Sequence, residues 1–369
     1  MNRRQFLTSV GASAAGMAVA RVPPRTGVPR AAGSGLPAAP PRKHWAWLRG
    51  EFTTADAWQR KLATIKAAGI EAVLYTANPD FYHAHAAAAE RAGLELHAWM
   101  FTMMRGENAA AHPDWYAVSR DGVSTAVKPP YVDYYKFMCP SREDVRGYLA
   151  GLVREVAQTD GLAGVHLDYI RYPDVILPVA LWPKYNLVQD KEYPSFDFCY
   201  CDVCCARFAR ESGVDPRKMP DPTADVAWRQ FRYDRISEVV SLLADVAHAH
   251  GKLITAAVFP TPAMARALVR QDWTTWPLDA VLPMTYHAFY KQDVAWIERA
   301  VREGVRGLGA RRPLYSGLYT PDLPPADLER AVGYAIAGGA NGISIFEANG
   351  LTPDQWSALA SALAAHTAR

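Results

Sequence analysis

The run of the chain after His44 predicts a closed (β/α)8 TIM barrel with long loops after its third and fourth strands. Short apolar runs alternate there with longer segments of helical period, and eight such pairs follow one another. Helix starts and ends carry capping residues where the periodicity changes. No Gly-rich phosphate loop follows the first strand, which weighs against a dinucleotide-binding form of the alternative, an open doubly wound sheet.

In order, the first strand covers residues 44–49 and leads to a helix over 55–68 that stops at Ala68-Gly69. Strand 71–76 and helix 81–92 end the same way, at Ala92-Gly93. Glycine at that point supplies the left-handed turn that closes a helix. Strand 94–101 runs into a long connection, 102–140, before a helix over 142–159 marked by Ser141 ahead of Arg142-Glu143-Asp144. Strand 164–170 precedes a longer connection, 171–227, and a helix over 228–250 closed by Gly251. Strand 253–259, helix 264–271, strand 280–286, helix 294–303, strand 314–319 and helix 325–337 follow, the last ended by Gly338-Gly339. Strand 342–346 and helix 353–366 complete the set, the helix opening on Thr352-Pro353-Asp354 with proline in its first turn. Both long connections leave the C-terminal ends of strands, the face on which barrel enzymes build their sites. Loops of that length are more often functional than incidental.

Half of the 369 residues are hydrophobic and 21% are charged, which suits a folded chain with a sizeable core. The formal charge of +3 is unevenly spread. Residues 1–43 hold Arg3, Arg4, Arg21, Arg25, Arg30, Arg42 and Lys43 and no acid, so the remainder carries 33 basic against 37 acidic side chains. A nucleic-acid partner, which needs clustered Lys and Arg, has no support in the body of the chain. Paired arginines in Asn2-Arg3-Arg4-Gln5-Phe6-Leu7 precede a weakly apolar run to about Ala20, with small residues at Ala18-Val19-Ala20. This resembles a twin-arginine export signal, which implies a periplasmic or secreted protein exported already folded. Residues 1–20 are therefore expected to be the signal, 21–43 a Pro/Ala/Gly-rich linker, and 44–369 the barrel with a cysteine-containing insert at about 174–225. No other apolar stretch is long enough to span a membrane.

The fourth strand is the most informative segment: Gly164-Val165-His166-Leu167-Asp168-Tyr169-Ile170-Arg171-Tyr172-Pro173. Alternation puts His166 and Asp168 on one face and Val165, Leu167 and Tyr169 on the other. A carboxylate near the upper rim of a barrel, among aromatic rings and close to Arg171, is suited to donate or accept a proton in glycoside chemistry. The structural alternative is that Asp168 merely pairs with Arg171 or His166 to hold the rim together.

This stretch closely resembles the family-10-like glycoside hydrolases of bacteria. Lesser pieces of the likeness are His112-Pro113-Asp114-Trp115, Cys139-Pro140-Ser141 with Val145-Arg146-Gly147-Tyr148, and Leu282-Pro283-Met284-Thr285-Tyr286. The resemblance implies a carbohydrate-active hydrolase with Asp168 in the catalytic position. A looser similarity to family 18 chitinases places His166, Asp168 and Ile170 where those enzymes carry three acids. Ile170 cannot ionise, so their substrate-assisted mechanism would lack its proton donor.

Glycosidases ordinarily use two carboxyl groups. Strand 314–319 ends without an acid, and Glu347, just past the eighth strand, is the first candidate for the partner of Asp168, followed by Glu107 and Asp272. Alternation weighs a little against Glu347, because Ser344 and Phe346 form an equally good inward set. Sugar rings present apolar faces edged by hydroxyls, so the aromatic and polar groups at strand ends are candidate substrate contacts. These are Trp47, Tyr75, Trp99, Tyr286, His287 and Tyr319, with His166 and Arg171 from the fourth strand. A non-catalytic carbohydrate-binding barrel, or a polysaccharide lyase or deacetylase at the same rim, are the competing functions.

Five cysteines occur, Cys139 and then Cys199, Cys201, Cys204 and Cys205. C-x-C-x2-C is tight metal-ligand spacing, and Cys139 lies in the neighbouring loop, so Cys139, Cys199, Cys201 and Cys204 are candidate ligands of a structural zinc. Four thiolates leave no open coordination position, which makes folding of the insert the role. The segment also resembles the Cys-rich insert of some bacterial β-galactosidase barrels that hold a structural zinc. Disulfide bonding in an oxidising compartment is the alternative. Nothing in the sequence calls for an organic cofactor. His44, His166 and His287 lack the spacing of a catalytic metal site.

Overall fold

A computed structural model describes residues 42–49, 54–309 and 312–367. The expected signal and all of the linker but its last two residues lie outside them. All eight strands are present and parallel: β1 Trp45–Leu48, β2 Ala72–Tyr75, β3 Glu95–Phe101, β4 Gly164–Asp168, β5 Leu253–Val258, β6 Ala280–Pro283, β7 Tyr315–Tyr319 and β8 Gly342–Phe346. They pair in the order β6-β5-β4-β3-β2-β1-β8-β7. Parallel bridges Val281↔Leu314 and Met284↔Gly317 bring β6 to β7 and all but close the ring. Thr285 Oγ1 reinforces that seam by donating to the Gly317 carbonyl at 2.7 Å.

The outer helices are α1 Ala55–Ala67, α2 Pro79–Arg91, α3 Glu143–Ala157, α5 Val226–Ala249, α6 Pro262–Val269, α7 Trp296–Leu308, α8 Pro325–Ala337 and α9 Pro353–Thr367. A further helix, α4 Asp202–Ser212, lies inside the insert and is absent from the sequence reading. It buries only Cys204, Cys205 and Phe208, too short an apolar stripe to stand out beside its cysteines. Thr352 opens α9 through a reciprocal cap: its Oγ1 accepts from Gln355 N at 3.2 Å while Gln355 Oε1 accepts from Thr352 N at 2.9 Å. Ser141 does not cap α3. Arg142 holds that position without a side-chain cap, and Ser141 Oγ accepts from the Cys204 thiol at 3.0 Å instead.

Strand parity divides the core in two. Trp45, Trp47, Leu74, Trp99, Leu282 and Tyr315 fill the barrel. Ala46, Leu48, Val73, Leu96, Val165, Leu167 and Ile343 face outward onto the helices, where α1 presents Trp58, Leu62 and Ile65. Burying one such large aliphatic side chain stabilises the fold by roughly 1.5–3 kcal/mol. Close packing inside the ring demands glycine at 164, where a Cβ would come 2.5 Å from both His97 Nδ1 and the Leu253 carbonyl. Two strands stop earlier than periodicity suggests. β4 ends at Asp168 because Tyr169 takes a left-handed conformation, φ +49°. β6 ends at Pro283 because Thr285 N and Tyr286 N turn back to the carbonyls of Pro283 and Met284. Lys43, assigned by composition to the linker, already belongs to the barrel: its backbone N–H donates to Asn341 O at 3.1 Å and its ammonium pairs with Glu95.

The long loop after β3 and the insert after β4 lie against each other, joined by the antiparallel bridge Ser119↔Phe198. Asp197, fully buried in the insert, is paired with Arg232 of α5 and accepts from Tyr200 Oη at 2.7 Å. Arg232 also donates to Phe198 O at 3.0 Å, so the insert is anchored to α5 by charge and by backbone. Among the described residues no helix is long and apolar enough to cross a membrane.

Candidate active site

A cavity of about 300 Å3 opens at the C-terminal ends of the strands. Strand ends make its floor, and the two long loops, with Phe289 and Tyr290 from the segment after β6, make its wall. Asp168, the last residue of β4, stands on the floor half-buried. Register pairs it with Phe101 of β3, one inward position above Trp99. Trp99 Nε1 donates to Asp168 Oδ2 at 2.9 Å, and the Tyr169 backbone N–H donates to Oδ1 at 2.7 Å. Burial among rings raises the Asp168 pKa, opposed first by the Trp99 bond, then by the Tyr169 N–H and by the charges of Arg171 and Arg49. No cationic side chain pairs with it directly among the described residues.

Arg171 has a different partner from the one the sequence suggests. Its Nη1 donates to Asp174 Oδ2 at 2.8 Å and to Tyr172 O at 3.0 Å, and its Nη2 donates to Tyr135 Oη at 2.7 Å. The guanidinium also lies over Tyr169, at 5.0 Å from the ring centroid, and over Phe259, at 5.2 Å. Asp174, which also lines the cavity, accepts from Tyr135 Oη as well. Asp174 escaped the sequence reading, although it directly follows the Arg171-Tyr172-Pro173 stretch. An acid three residues beyond an arginine was the available signal.

Trp47, Trp99, Tyr286 and Tyr319 line the cavity, as does Arg171. Three other candidates do not. His166 is fully buried beneath the floor, where Nε2 accepts from Trp47 Nε1 at 3.2 Å and Nδ1 faces Thr255 Oγ1 at 2.8 Å. The first bond leaves the proton on Nδ1, to be donated to Thr255. Burial drives the His166 pKa well down, so the ring is neutral and fixes the floor rather than meeting a sugar. Tyr75 faces outward between Trp58 and Phe81, at centroid distances of 5.4 and 4.6 Å, because Leu74 takes the inward position on β2. His287 borders a separate hollow with Asp293, Arg330 and Tyr334.

Glu347 lies beside the cavity rather than in its lining. Its Oε2 accepts from Arg49 Nε at 2.6 Å, while Ser344 is buried and Phe346 lines the cavity, as the inward set. Arg49 does line the cavity, and its charge is felt at Asp168. Glu107 bonds with Arg105 and Tyr148, and Asp272 with Arg266, both away from the cavity. The wall residues Tyr131, Tyr134, Tyr135, Leu177, Leu181 and Tyr185 come from the long loops and carry no periodic signal that could have found them.

In the two long loops the thiols of Cys139, Cys199, Cys201 and Cys204 all lie within 4.8 Å of one another, and all four residues are buried. Cys139 is 3.5 Å from Cys201 and 3.4 Å from Cys204, and Cys199 is 3.4 Å from Cys201. A disulfide needs about 2.05 Å. Thiolates 2.3 Å from a tetrahedral ion stand about 3.8 Å apart, so the group is able to hold a metal ion. Cys205 stands apart on α4.

No protein-family model matches the chain, and no curated protein does. Among solved structures the chain is similar to the PgaB (BpsB) glycoside hydrolase domain from Bordetella bronchiseptica, with a TM-score of 0.61 at 14% identity over 88% of this chain and 98% of that one. The catalytic domain of β-amylase from Paenibacillus polymyxa gives 0.62 at 11% identity, over 89% and 99%. A β-galactosidase from the haloarchaeon Halorubrum lacusprofundi gives 0.60 at 15% identity; the match covers 87% of this chain and 57% of that longer one. The chain therefore shares the TIM-barrel architecture of these glycoside hydrolases.

Proposed function

We propose that this protein is an exported glycoside hydrolase that cleaves glycosidic bonds of an oligosaccharide or polysaccharide at Asp168. The observation that carries this reading is the position of Asp168, a carboxyl with a raised pKa and, among the described residues, no ion-pair partner, on the floor of an aromatic cavity. In its protonated form Asp168 gives its proton to the glycosidic oxygen as the bond to C1 breaks. Trp47, Trp99, Tyr286 and Tyr319 offer apolar faces to the sugar rings and exclude water. Arg171 tunes the reaction through its charge, while His166 holds Trp47 from below.

Glu347 is the proposed second carboxyl, attacking C1 or activating the water that does. Its pair with Arg49 is half-exposed on the arginine side and weak to break, whereas Asp174 is held by two buried donors. Zinc is the proposed occupant of the four-cysteine group, with the role of holding the insert. Its thiolates fill the tetrahedron, and no step of the hydrolysis passes through it.

Release of reducing ends from a panel of polysaccharides tests the reading against its rivals. New reducing ends without new ultraviolet absorbance support hydrolysis. An unsaturated, absorbing product identifies a lyase, released acetate a deacetylase, and binding without turnover a carbohydrate-binding barrel.

A further inference from the structure

Tyr131 forms part of two walls. On one side it lines the Asp168 cavity beside Tyr185, with ring centroids 5.8 Å apart. It also lines a separate hollow of about 320 Å3 between the two long loops, where Phe196 stacks on it at 4.7 Å with the rings 5° from parallel. The ring is not free to swing. Its hydroxyl donates to Asp174 O at 2.7 Å and accepts from Gln189 Nε2 at 2.9 Å.

The chemistry of the hollow matches that of a sugar ring. Phe196 and Pro130 supply an apolar surface, and Asp121, Lys128 and Ser195 supply polar groups. Ser195 Oγ donates to Asp121 Oδ2 at 2.7 Å across the loops, which fixes the carboxylate in place. Asp121, Lys128 and Ser195 are exposed, so a ligand can exchange its water for theirs without burying an unpaired charge. One acid and one base leave the hollow without a strong preference for a charged ligand.

We propose that this hollow is a second sugar-binding subsite, and that a chain of sugar units runs from the Asp168 cavity across Tyr131 into it. The substrate is then a polysaccharide cut within its length, not a terminal unit clipped from an end. The inference deepens the glycosidase reading of the cavity and rests on it for the class of ligand.

Chito-, cello- and galacto-oligosaccharides of two to six units test it, by turnover on the full chain and by calorimetric affinity on its Asp168→Asn variant. In at least one series, turnover efficiency and affinity rise as the chain becomes long enough to reach from the cavity past Tyr131 into the hollow. Phe196→Ala removes an aromatic platform and lowers the long-to-short ratio about tenfold. Should Phe196→Ala fail to fold, Lys128→Ala at an exposed position lowers the same ratio. No binding in any series, a flat dependence on length, or equal losses on short and long substrates overturns the subsite. Affinity that rises with length and falls in the variants without any turnover overturns the hydrolase reading and leaves the subsite standing.

Discussion

Asp168 and Asp174 lie six residues apart and line the same cavity, one at the end of β4 and the other in the loop that follows. Asp168 is met by two neutral donors, the Trp99 indole and the Tyr169 amide, in surroundings that raise its pKa. Asp174 is met by the Arg171 guanidinium and the Tyr135 hydroxyl, both buried. The difference separates the carboxyl to which the proposed function assigns the proton transfer from one that is held in an ion pair in the wall. Arg171 pairs at the rim with Asp174 and not with Asp168.

The sharpest way to break the comparison is to remove each charge in turn. Asp168→Asn is expected to lower kcat/KM by at least about a thousandfold while the fold stays intact. The folded state holds the Asp168 proton more tightly than the unfolded chain does. The stability so gained is full below the unfolded pKa and is lost as pH rises through the folded one. Asparagine does not suffer that loss, so Asp168→Asn melts at or above wild type at neutral pH, with the advantage shrinking on acidification. Asp174→Asn is expected to do the reverse, costing about 3–5 kcal/mol of stability because it strands Arg171 in a buried site. Thermal melts and steady-state kinetics on the two variants check this together, and a destabilised Asp168→Asn protein would count against the assignment.

A milder test touches the wall alone. Cys139 ends the loop that carries Tyr131, Tyr134 and Tyr135, and Cys199, Cys201 and Cys204 lie in the insert that carries Asp174 and Tyr185. A bound metal would clip the two together. Cys204→Ser, or extraction with a chelator, is expected to release about one equivalent of zinc and cost a few kcal/mol of stability. KM should rise more than kcat falls, since the Asp168 floor hangs on β3 and β4. Metal analysis that finds no zinc, with two disulfides by mass spectrometry, would refute the clip.

How far the sequence reveals all this follows from the same contrast. The eight strands and their order are legible because each repeats a local pattern, and so is the inward face of Asp168, set by alternation on β4. Tyr75 was not, because β2 reads Ala72-Val73-Leu74-Tyr75 and is buried on both faces, which erases the parity signal. Alternation places His166 inward but not its depth, which comes from Trp47 and Thr255 on other strands. The cysteine group is legible because its ligands are close in sequence apart from Cys139. Pairings such as Arg171 with Tyr135, and the wall tyrosines as a set, depend on how two long loops meet, and no period in the chain records that.

The alkaline limb of kcat/KM, measured for wild type and for Trp99→Phe, tests the central claim most directly. If Asp168 is the acid, wild-type activity falls as pH rises through an apparent pKa above the ordinary aspartate range. Trp99→Phe removes the bond that favours the charged form, so the limb moves to higher pH. A limb that stays where it was in Trp99→Phe would mean that another group delivers the proton.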